Sequence, residues 1–406
     1  MIDHRRLGRE LELFVSDPLA GAGLPIWLPA GAAARHAVEA YVHELERRAG
    51  YQHVYSPLLG KRELFALSGH LDYFADDMFP PMRLSPDDEF VLRPALCPHH
   101  ALVFRARGRS YRELPLRVGE LGGMYRAERS GVLGGLSRVR AISLNDAHNF
   151  CALDQVGEEV AAILALIREA HAALGVRPAG FRLSLRGPGQ RYVGTDEQWR
   201  RAEDLLREAL NGVDVVEAPG DAAFYGPKID IQVADPAGRE STLATVQLDF
   251  DKPEKFDLSY TDSDGGRQRP VMVHRSLVGS MERLFAHLIE AHNGAFPPWY
   301  APVQVTVLPV DPEDPGQAAA ADRLARDAVA LGLRAERDGG GSLGSRIRDT
   351  ARRRVPYVAV LGAREAADGA VALRLRDGRR LDPRPAADAL ALVASVVATR
   401  SAALLP

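Results

Sequence analysis

Apolar residues recur at three- and four-residue intervals in six segments of the chain, which is the spacing of a helix with one buried face. A glycine just after such a pattern is a common helix end, because glycine adopts the left-handed conformation without strain. Gly50 and Gly175 stand at such positions. The predicted helices span residues 4–14, 28–50, 60–74, 153–175, 196–212 and 274–294.

Runs of apolar or alternating residues between these helices predict strands. Residues 51–57 form one such run, and residues 89–106 are predicted to form a strand, a turn and the start of a helix. Residues 114–131 and 136–151 are predicted to pair as a long antiparallel hairpin. Residues 229–250 form a second predicted hairpin, which turns at Pro236-Ala237-Gly238.

The pattern changes after the segment NGAFPPWYAP, which holds a glycine and three prolines. Beyond it, predicted strands at 303–310, 357–362 and 370–378 alternate with predicted helices at 319–332 and 345–354. Alternation of this kind is typical of a small α/β domain, and it predicts a mainly parallel sheet. We therefore expect two domains, residues 1–298 and residues 299–406.

Composition favours a globular protein of the cytoplasm. Hydrophobic residues make up 46% and charged residues 26% of the 406 residues, and the formal net charge is −3. No apolar run approaches the ~18 residues of a membrane helix, so no membrane segment is expected. Only two cysteines occur, Cys97 and Cys151, so we do not expect a secreted protein that is held together by disulfide bonds.

Charged and metal-binding residue types occur in separate segments. The first predicted hairpin carries Arg126, Glu128 and Arg138, and a later helix carries Arg283. Guanidinium groups gathered from several elements suit a polyphosphate, although solvated surface arginines are the commoner case. Two histidines and one cysteine occur far apart, and their spacing alone does not predict a metal site, because such residues are more often part of the core.

Several short motifs resemble those of class II aminoacyl-tRNA synthetases. Arg126-Ala127-Glu128 is similar to the second signature motif of that class, Arg283 in GSMER to the third, and Tyr55-Ser56-Pro57 to the proline of the first, at the dimer interface. Further blocks resemble threonyl-tRNA synthetase in the order in which that family has them: Leu92-Arg93-Pro94, Cys97-Pro98, Asp146-Ala147-His148, residues 223–230, residues 245–250 and His274-Arg275.

This resemblance implies an α+β fold: the class II antiparallel sheet flanked by helices, followed by a small C-terminal α/β domain like the anticodon-binding domain. It implies a threonine–tRNA ligase that uses ATP and releases AMP and pyrophosphate. The implied partners are ATP, L-threonine and tRNA, and a homodimer is expected from the first motif.

The resemblance also implies that Cys97, His148 and His274 bind one Zn²⁺ per chain. Three protein ligands leave coordination open, and the amine and β-hydroxyl of threonine would complete it. Valine has a methyl group in place of the hydroxyl and would be rejected. Asp146 is expected to accept a hydrogen bond from the substrate hydroxyl, and Tyr225 to lie near the amino group.

The ATP-binding residues carried over are Arg126, Glu128, Arg138, Gln247 and Arg283. Arg126 is implied to bridge the substrate carboxylate and the α-phosphate, which makes it catalytic together with Arg283. Glu128 would contact the adenine amino group. Arg138 and Arg283 would hold the bent triphosphate, Gln247 would line the same pocket, and Mg²⁺ would accompany ATP.

The sequence departs from the family near the substrate. Ile142 stands where a phenylalanine usually stacks on adenine, Leu144 replaces a glutamine, and His99 stands at a usual glycine. Ala127 and Arg129 also differ from the family motif. We interpret His99 as a residue that does not narrow the pocket.

The C-terminal domain departs from the family as well. Gly341 replaces a glutamate that reads an anticodon base in relatives, so base-specific readout is not expected at that position. Arg346, Arg348 and Arg353 are expected to contact phosphates. The N-terminal regions that clear mischarged serine in many relatives have no counterpart here, so we expect serine activation without clearance.

Two alternatives stay open from the sequence. One is a paralogue that adenylates threonine or a related β-hydroxy amino acid and passes it to an acceptor other than tRNA, which the changes at Ile142, Leu144 and Gly341 favour. The other is a non-catalytic protein that binds tRNA. The complete set of candidate arginines and metal ligands argues against the second.

Overall fold

The structure, a computed structural model, describes residues 2–189 and 192–406. The helices are α1 (His4–Glu10), α2 (Pro29–Arg48), α3 (Arg62–Leu67), α4 (His70–Tyr73), α5 (Cys97–Arg105), α6 (Val156–Leu174), α7 (Asp196–Ala209), α8 (Asp251–Lys255), α9 (Met281–Ala291), α10 (Pro315–Ala330), α11 (Leu343–Arg352), α12 (Ala363–Asp368) and α13 (Ala386–Ala398). The strands are β1 (Phe14–Val15), β2 (Ile26–Trp27), β3 (Gln52–His53), β4 (Leu59–Lys61), β5 (Met82–Ser85), β6 (Asp88–Leu92), β7 (Leu116–Tyr125), β8 (Ala141–Cys151), β9 (Pro178–Leu185), β10 (Val215–Pro219), β11 (Lys228–Ala234), β12 (Glu240–Asp249), β13 (Tyr260–Thr261), β14 (Arg267–Gln268), β15 (Val271–Ser276), β16 (Val305–Pro309), β17 (Ala335–Arg337), β18 (Tyr357–Leu361), β19 (Ala370–Leu375) and β20 (Arg384–Pro385).

An eight-stranded sheet in the order β10-β9-β11-β12-β15-β8-β7-β3 organises the N-terminal part. Its six inner strands pair antiparallel, and only the two edge pairs, β10 with β9 and β3 with β7, are parallel. The predicted antiparallel sheet is therefore confirmed. The long hairpin predicted from residues 114–151 is the pair β7 and β8, in register from Leu116 opposite Phe150 to Tyr125 opposite Ala141.

Long amphipathic helices cover the hydrophobic side of this sheet. Helix α6 buries Val160, Ile163 and Ile167 at helical spacing, and α2 packs on it with Val38 and Val42. Full burial of each such side chain contributes roughly 1.5–3 kcal/mol relative to exposure. Strand β15 lies in the middle of the sheet and is buried at all six positions, so it forms a fixed base for side chains that face the cavity described below.

A second hydrophobic core belongs to the C-terminal part, around a five-stranded sheet in the order β17-β16-β18-β19-β20. The prediction of a mainly parallel sheet is only half right, because β17, β16 and β18 are parallel while β18, β19 and β20 pair antiparallel. A parallel return needs a crossover of a dozen or more residues. The connection from β18 to β19, residues 362–369, is shorter than that.

Two predicted helices are wrong in part. The segment 274–294 begins with the end of β15, and α9 starts only at Met281, where the Ser280 side chain accepts a hydrogen bond from the Arg283 N–H at 3.1 Å and caps the helix. The segment 60–74 is divided by Gly69, whose φ of 76° separates α3 from α4. Strands β9 and β10 and helices α12 and α13 were not predicted.

The segment before β16 joins the two parts through hydrogen bonds. Trp299 Nε1 donates to the Ala173 carbonyl and Tyr300 Oη to the Leu174 carbonyl, each at 3.0 Å. From the C-terminal side, Arg334 Nη2 donates to the Trp299 carbonyl at 2.8 Å. Among the helices that the structure describes, none is both long and apolar enough to cross a membrane.

Candidate active site

A cavity of about 270 Å³ opens beside β8, β12, β15 and the start of α9. Nine of the ten predicted site residues line it: Cys97, Arg126, Glu128, Arg138, Asp146, Tyr225, Gln247, His274 and Arg283. The tenth, His148, is fully buried directly behind this lining, next to His274. The fold therefore brings together all ten residues, which come from seven separate segments of the chain.

Cys97, His148 and His274 meet at the cavity, with Cys97 and His274 in its lining and His148 behind them. His148 on β8 and His274 on β15 are directly opposite each other in the sheet, and Cys97 is the first residue of α5. One ligand atom from each lies within 4.8 Å of the others, and His148 Nε2 is 3.0 Å from His274 Nδ1. Residues far apart in sequence thus form a set of one thiol and two imidazoles.

The chemistry of this set fits a bound Zn²⁺. His274 Nε2 lies 2.8 Å from Asp249 Oδ2, and Lys252 Nζ donates to the same oxygen at 3.1 Å. A carboxylate only accepts, so His274 carries its proton on Nε2 and turns the Nδ1 lone pair toward Cys97 and His148. Burial lowers the pKa of both histidines, which keeps them in the neutral form that binds metals.

Cys97 adds the thiol of the set. Burial raises its pKa to about 12, so a nearby cation is needed for the thiolate form at neutral pH. Cysteine, two histidines and a carboxylate behind one of the imidazoles make a typical zinc donor set with an open position.

Arg126 follows β7 and brings an unpaired donor to the cavity. Its Nε is buried and has no hydrogen-bond partner among the described residues. The guanidinium lies 5.6 Å from the centroid of the Phe74 ring. Burial lowers the pKa of Arg126 because it penalises the charged form. A buried, incompletely bonded guanidinium is costly, and an anionic ligand would supply the missing acceptors.

Arg138 and Arg283 continue the positive charge along the cavity. Arg138 donates to Glu128 Oε2 from Nε at 2.9 Å, and its Nη2 lies 2.8 Å from the same oxygen. Arg283 Nη1 donates to the Thr242 carbonyl at 3.3 Å. Burial lowers the pKa of Arg283, and the charges of Arg126 and Arg138 lower it further. Three guanidinium groups with one carboxylate among them favour a polyanion.

Tyr225, Gln247 and Asp146 add uncharged and acidic polar groups to the lining of the cavity. Tyr225 Oη donates to Gln247 Oε1 at 2.5 Å, and the Tyr225 ring stacks on His274 with centroids 4.9 Å apart. Lys252 Nζ lies 3.6 Å from the centroid of the Tyr225 ring, a cation–π contact in a buried setting. Burial raises the pKa of Asp146 to about 7.

The three residues that differ from the family near the substrate, Ile142, Leu144 and His99, do not all line the cavity. Ile142 and Leu144 line the cavity and make part of its wall apolar. His99 is buried with its ring centroid 6.2 Å from that of Phe65, outside the cavity lining. This position agrees with the interpretation that His99 does not narrow the pocket.

Several buried charged residues around the site were not predicted from the sequence. Asp249 bonds His274 and is itself paired with Lys252, and Arg275 lies 2.7 Å from Glu46 while it stacks on Tyr51. The available signal was their place beside recognised residues, since Asp249 lies in the block 245–250 and Arg275 follows His274. Charged residues beside buried ligands are usually needed as partners.

The arginines of the C-terminal part do not all face solvent. Arg346 is buried and donates to the carbonyls of Pro309 at 2.7 Å and Asp338 at 3.1 Å, so the expectation that it contacts phosphates is wrong. Arg353 donates to both carboxylate oxygens of Glu336, at 2.6 and 3.0 Å. Arg348 and Gly341 are exposed.

Comparison with known proteins agrees with this geometry. Residues 82–292 match the tRNA synthetase class II core domain (G, H, P, S and T), and residues 304–395 match an anticodon binding domain. The chain is 47% identical over 380 residues to threonine–tRNA ligase of Geobacillus sp. (strain WCH70) and 46% identical over 377 residues to threonine–tRNA ligase 1 of Bacillus subtilis (strain 168). Each match covers 92% of this chain and 58% of the relative, so the chain spans little more than half the length of these relatives.

Solved structures give the same comparison at the level of the fold. The crystal structure of the RNA binding domain of threonyl-tRNA synthetase from Cryptosporidium parvum Iowa II superposes with a TM-score of 0.91 at 34% identity, and covers 97% of this chain and 98% of that one. Prolyl-tRNA synthetase from Cryptosporidium parvum shares the fold with a TM-score of 0.73 at 16% identity, covering 98% of this chain and 75% of that one.

Proposed function

This chain belongs to the threonyl-tRNA synthetase family of class II aminoacyl-tRNA synthetases, and from that premise we propose that it is a threonine–tRNA ligase. It activates L-threonine with ATP, releases pyrophosphate, and passes the threonyl group to the terminal ribose of tRNA. The observation that carries the proposal is one cavity lined both by Cys97 and His274, which form a metal-type set with His148 behind them, and by Arg126, whose buried Nε has no partner among the described residues.

In the first step, formation of the adenylate, the arginines stabilise the negative charge on the phosphates. The threonine carboxylate oxygen attacks the α-phosphorus of ATP, the bond to the bridging oxygen breaks, and pyrophosphate leaves. Arg126 binds the carboxylate and an α-phosphate oxygen, so its unused Nε–H meets the charge that grows on the phosphoryl group. Arg138 and Arg283 hold the β- and γ-phosphates, and Mg²⁺ that accompanies ATP would neutralise part of the phosphate charge.

No side chain acts as a covalent nucleophile or as an obligatory base, because the substrate carboxylate is already ionised at neutral pH. The cavity binds both substrates side by side, and this alignment adds to the electrostatic contribution of the arginines. Glu128 receives the adenine amino group, which requires it to share its carboxylate between Arg138 and the base. Gln247, bonded to Tyr225, forms the wall between the nucleotide and the amino acid.

Amino-acid choice rests on Cys97, His148 and His274, which would hold one Zn²⁺. When bound, this ion supplies open coordination positions for an amine and a β-hydroxyl. Asp146 accepts a hydrogen bond from the hydroxyl, and Tyr225 lies beside the amino group. Valine offers neither a donor to Asp146 nor an oxygen ligand, so it leaves buried polar groups unpaired and is rejected.

The remaining assignments concern the whole chain. Residues 1–298 form the catalytic domain and residues 299–406 the anticodon-binding-like domain, which offers exposed Arg348 to RNA phosphates. Two copies associate through the segment Tyr55-Ser56-Pro57, whose Tyr55 side chain is 94% exposed in the single chain. The protein acts in the cytoplasm, where its tRNA partner is found.

Two assays on the purified chain test the proposal. Threonine-dependent exchange of labelled pyrophosphate into ATP is expected, and so is charging of unmodified tRNA with threonine. Arg126→Ala is expected to reduce exchange at least 100-fold, because it removes a donor that acts in the transition state. Absence of exchange at saturating threonine and ATP would refute the adenylation step, and exchange without charging would refute tRNA as the acceptor.

A further inference from the structure

A buried chain of hydrogen bonds leads from His148 away from the cavity and has no part in the reaction described above. His148 Nδ1 lies 2.7 Å from His100 Nδ1, and His100 Nε2 lies 3.2 Å from Glu120 Oε2. The two imidazole planes are nearly perpendicular, at 86°. Both histidines are wholly shielded from solvent and Glu120 almost so, which means that water cannot replace these bonds.

Glu120 determines which group donates in each hydrogen bond of this buried series. Its Oε1 accepts from Arg93 Nη2 at 3.0 Å, and its Oε2 accepts from Ser56 Oγ at 2.5 Å. Arg93 Nη1 also donates to Ser56 Oγ, at 2.5 Å, so the single hydroxyl hydrogen of Ser56 is free for Glu120. Surrounded by donors and by the Arg93 charge, Glu120 is a carboxylate that only accepts. His100 Nε2 must therefore donate to it.

The proton positions then follow one from another. A neutral imidazole has one N–H, so His100 Nδ1 is an acceptor and His148 Nδ1 is the donor between the two rings. His148 Nε2 is left with a lone pair. It lies 3.0 Å from His274 Nδ1, whose own proton is on the side of Asp249. Two lone pairs facing each other at this distance repel unless a cation lies between them.

We propose that His100 and Glu120 are positioning residues for the metal, because they fix the tautomer and ring orientation of the ligand His148. The inference rests on the proposed zinc site. In this arrangement each of the two imidazole ligands is supported by a carboxylate. Asp249 supports His274 directly, and Glu120 supports His148 through the ring of His100. Arg93 and Lys252 balance the two carboxylate charges. Outer partners of this kind change metal affinity by about 10–100-fold when they are removed.

Replacement of either residue should weaken zinc binding. His100→Phe keeps a ring but removes both nitrogens. Glu120→Gln presents an amide that can donate to His100, which would reverse the proton positions and place an N–H at His148 Nε2. We expect a 10–100-fold rise in the zinc dissociation constant for each variant, measured by competition with a chromophoric chelator. His100→Gln keeps one acceptor and one donor and should recover part of the affinity.

Two matched controls separate this role from general loss of buried polar groups. His171→Phe removes a buried histidine that bonds the Leu277 carbonyl, and Glu159→Gln alters a buried glutamate that bonds Arg117 and Asn149. Both should keep the zinc dissociation constant within about twofold of the parent chain. The Co²⁺-loaded forms add a spectroscopic readout, since the thiolate charge-transfer and d–d bands should shift in the His100 and Glu120 variants only.

A measurement without any substitution covers the case in which a variant does not fold. In the zinc-loaded parent chain labelled with ¹⁵N-histidine, NMR should show protonated Nδ1 in His148 and protonated Nε2 in His100. The opposite tautomer in His100, or unchanged zinc affinity in folded His100→Phe and Glu120→Gln, would overturn the inference and leave the zinc site intact. A parent chain that binds no Zn²⁺ would overturn the zinc site itself, and the inference with it.

Discussion

Cys97 can be tested apart from the rest of the site because the chain has a second buried cysteine. Cys97→Ser replaces the proposed thiolate ligand by a hydroxyl, so zinc content and discrimination against valine should both fall. A site built to bind a hydroxyl rejects the analogue without it by about 10⁴–10⁵, whereas an apolar pocket achieves only about 10². We expect the ratio of threonine to valine exchange rates to drop by about two orders of magnitude, as measured by pyrophosphate exchange. Metal analysis would measure the fall in zinc content.

Cys151→Ser is the control for this experiment. Cys151 is buried and lies on β8 like His148, but its thiol contacts the Val271 carbonyl instead of the cavity. It should keep full zinc content and full discrimination. If Cys97→Ser also kept both, Cys97 would not be a ligand.

Serine tests the same pocket from the side of the substrate. It offers the amine and the β-hydroxyl that the proposed site selects and lacks only the methyl group of threonine. A missing methyl group changes specificity by about 10–200-fold, so serine exchange should be measurable at that fraction of the threonine value of kcat/KM. Mass-resolved charging of tRNA should show seryl-tRNA. Absence of serine adenylate at high serine concentration would contradict this prediction.

His171 gives the fold a pH dependence of known sign. Burial lowers its pKa from 6.5 to about 4. Between these values the unfolded chain binds a proton that the folded chain excludes, so the free energy of unfolding rises with pH. The contribution is fully present above pH 6.5 and is lost as pH falls toward 4, on the order of 3 kcal/mol in all. His171→Phe should therefore lose less stability than the parent chain between pH 7 and pH 5, as measured by urea denaturation.

At the scale of elements, helix α1 supports a loop of the active site. His4 Nδ1 lies 2.7 Å from Glu290 Oε1, and His4 Nε2 accepts from the buried Leu136 N–H at 3.2 Å. Gly135 allows this close approach, since its φ is 59° and a Cβ there would lie 2.5 Å from His4 Nε2. The next residue after Leu136 is Ser137, which lines the cavity beside Arg138.

His4→Phe should therefore act on ATP more than on threonine. It leaves the Leu136 N–H without a partner, which costs about 1–3 kcal/mol and loosens the segment that carries Arg138. We expect a 5–20-fold rise in KM for ATP with less than twofold change in KM for threonine, measured by pyrophosphate exchange. His4→Gln, which offers an acceptor, should recover part of the effect. Arg6→Ala, at an exposed site on the same helix, should have none; equal KM values for ATP in all forms would exclude the role.

Elements with strong local patterns were predictable, and elements defined by their neighbours were not. The hairpin of β7 and β8 follows from long alternating runs in the sequence. Strand β9 begins with Pro178 and contains Gly180, both of which weaken a strand pattern, and it exists because β11 and β10 pair with it on either side. The end of β15, residues 274–276, was predicted as the start of a helix, because the strand is buried on both faces and so lacks any alternation.

At the scale of the whole molecule, the site depends on pairings that spacing cannot reveal. His148 and His274 are separated by 126 residues, yet they are opposite each other across two neighbouring strands. Only the resemblance of several motifs pointed to them as a pair. The residues that support them are harder to identify: Asp249 has only its place in a recognised block as a signal, and the role of Glu120 depends on hydrogen-bond directions in the folded core.

The proposed association of two chains has the clearest test at the scale of the whole molecule. Tyr55 is 94% exposed and Leu84 77% exposed, and Leu58 and Leu59 are also exposed. An aromatic side chain that is mostly exposed to solvent, close in sequence to exposed Leu58 and Leu59, suits burial against a second copy. Tyr55→Glu should raise the dimer dissociation constant by at least 10-fold, because it places a charge in that apolar contact. Light scattering over a dilution series would measure it.

The same substitution links association to the reaction. Ser56, the neighbour of Tyr55, donates to Glu120, which supports the proposed metal ligand through His100. Separation of the chains frees this segment, so exchange activity should fall in parallel with the dimer fraction as the protein is diluted. Leu19→Glu is the control, because Leu19 is 99% exposed in a different segment and should change neither property. A parent chain that stays monomeric at every concentration, with full activity, would show that each copy is complete by itself.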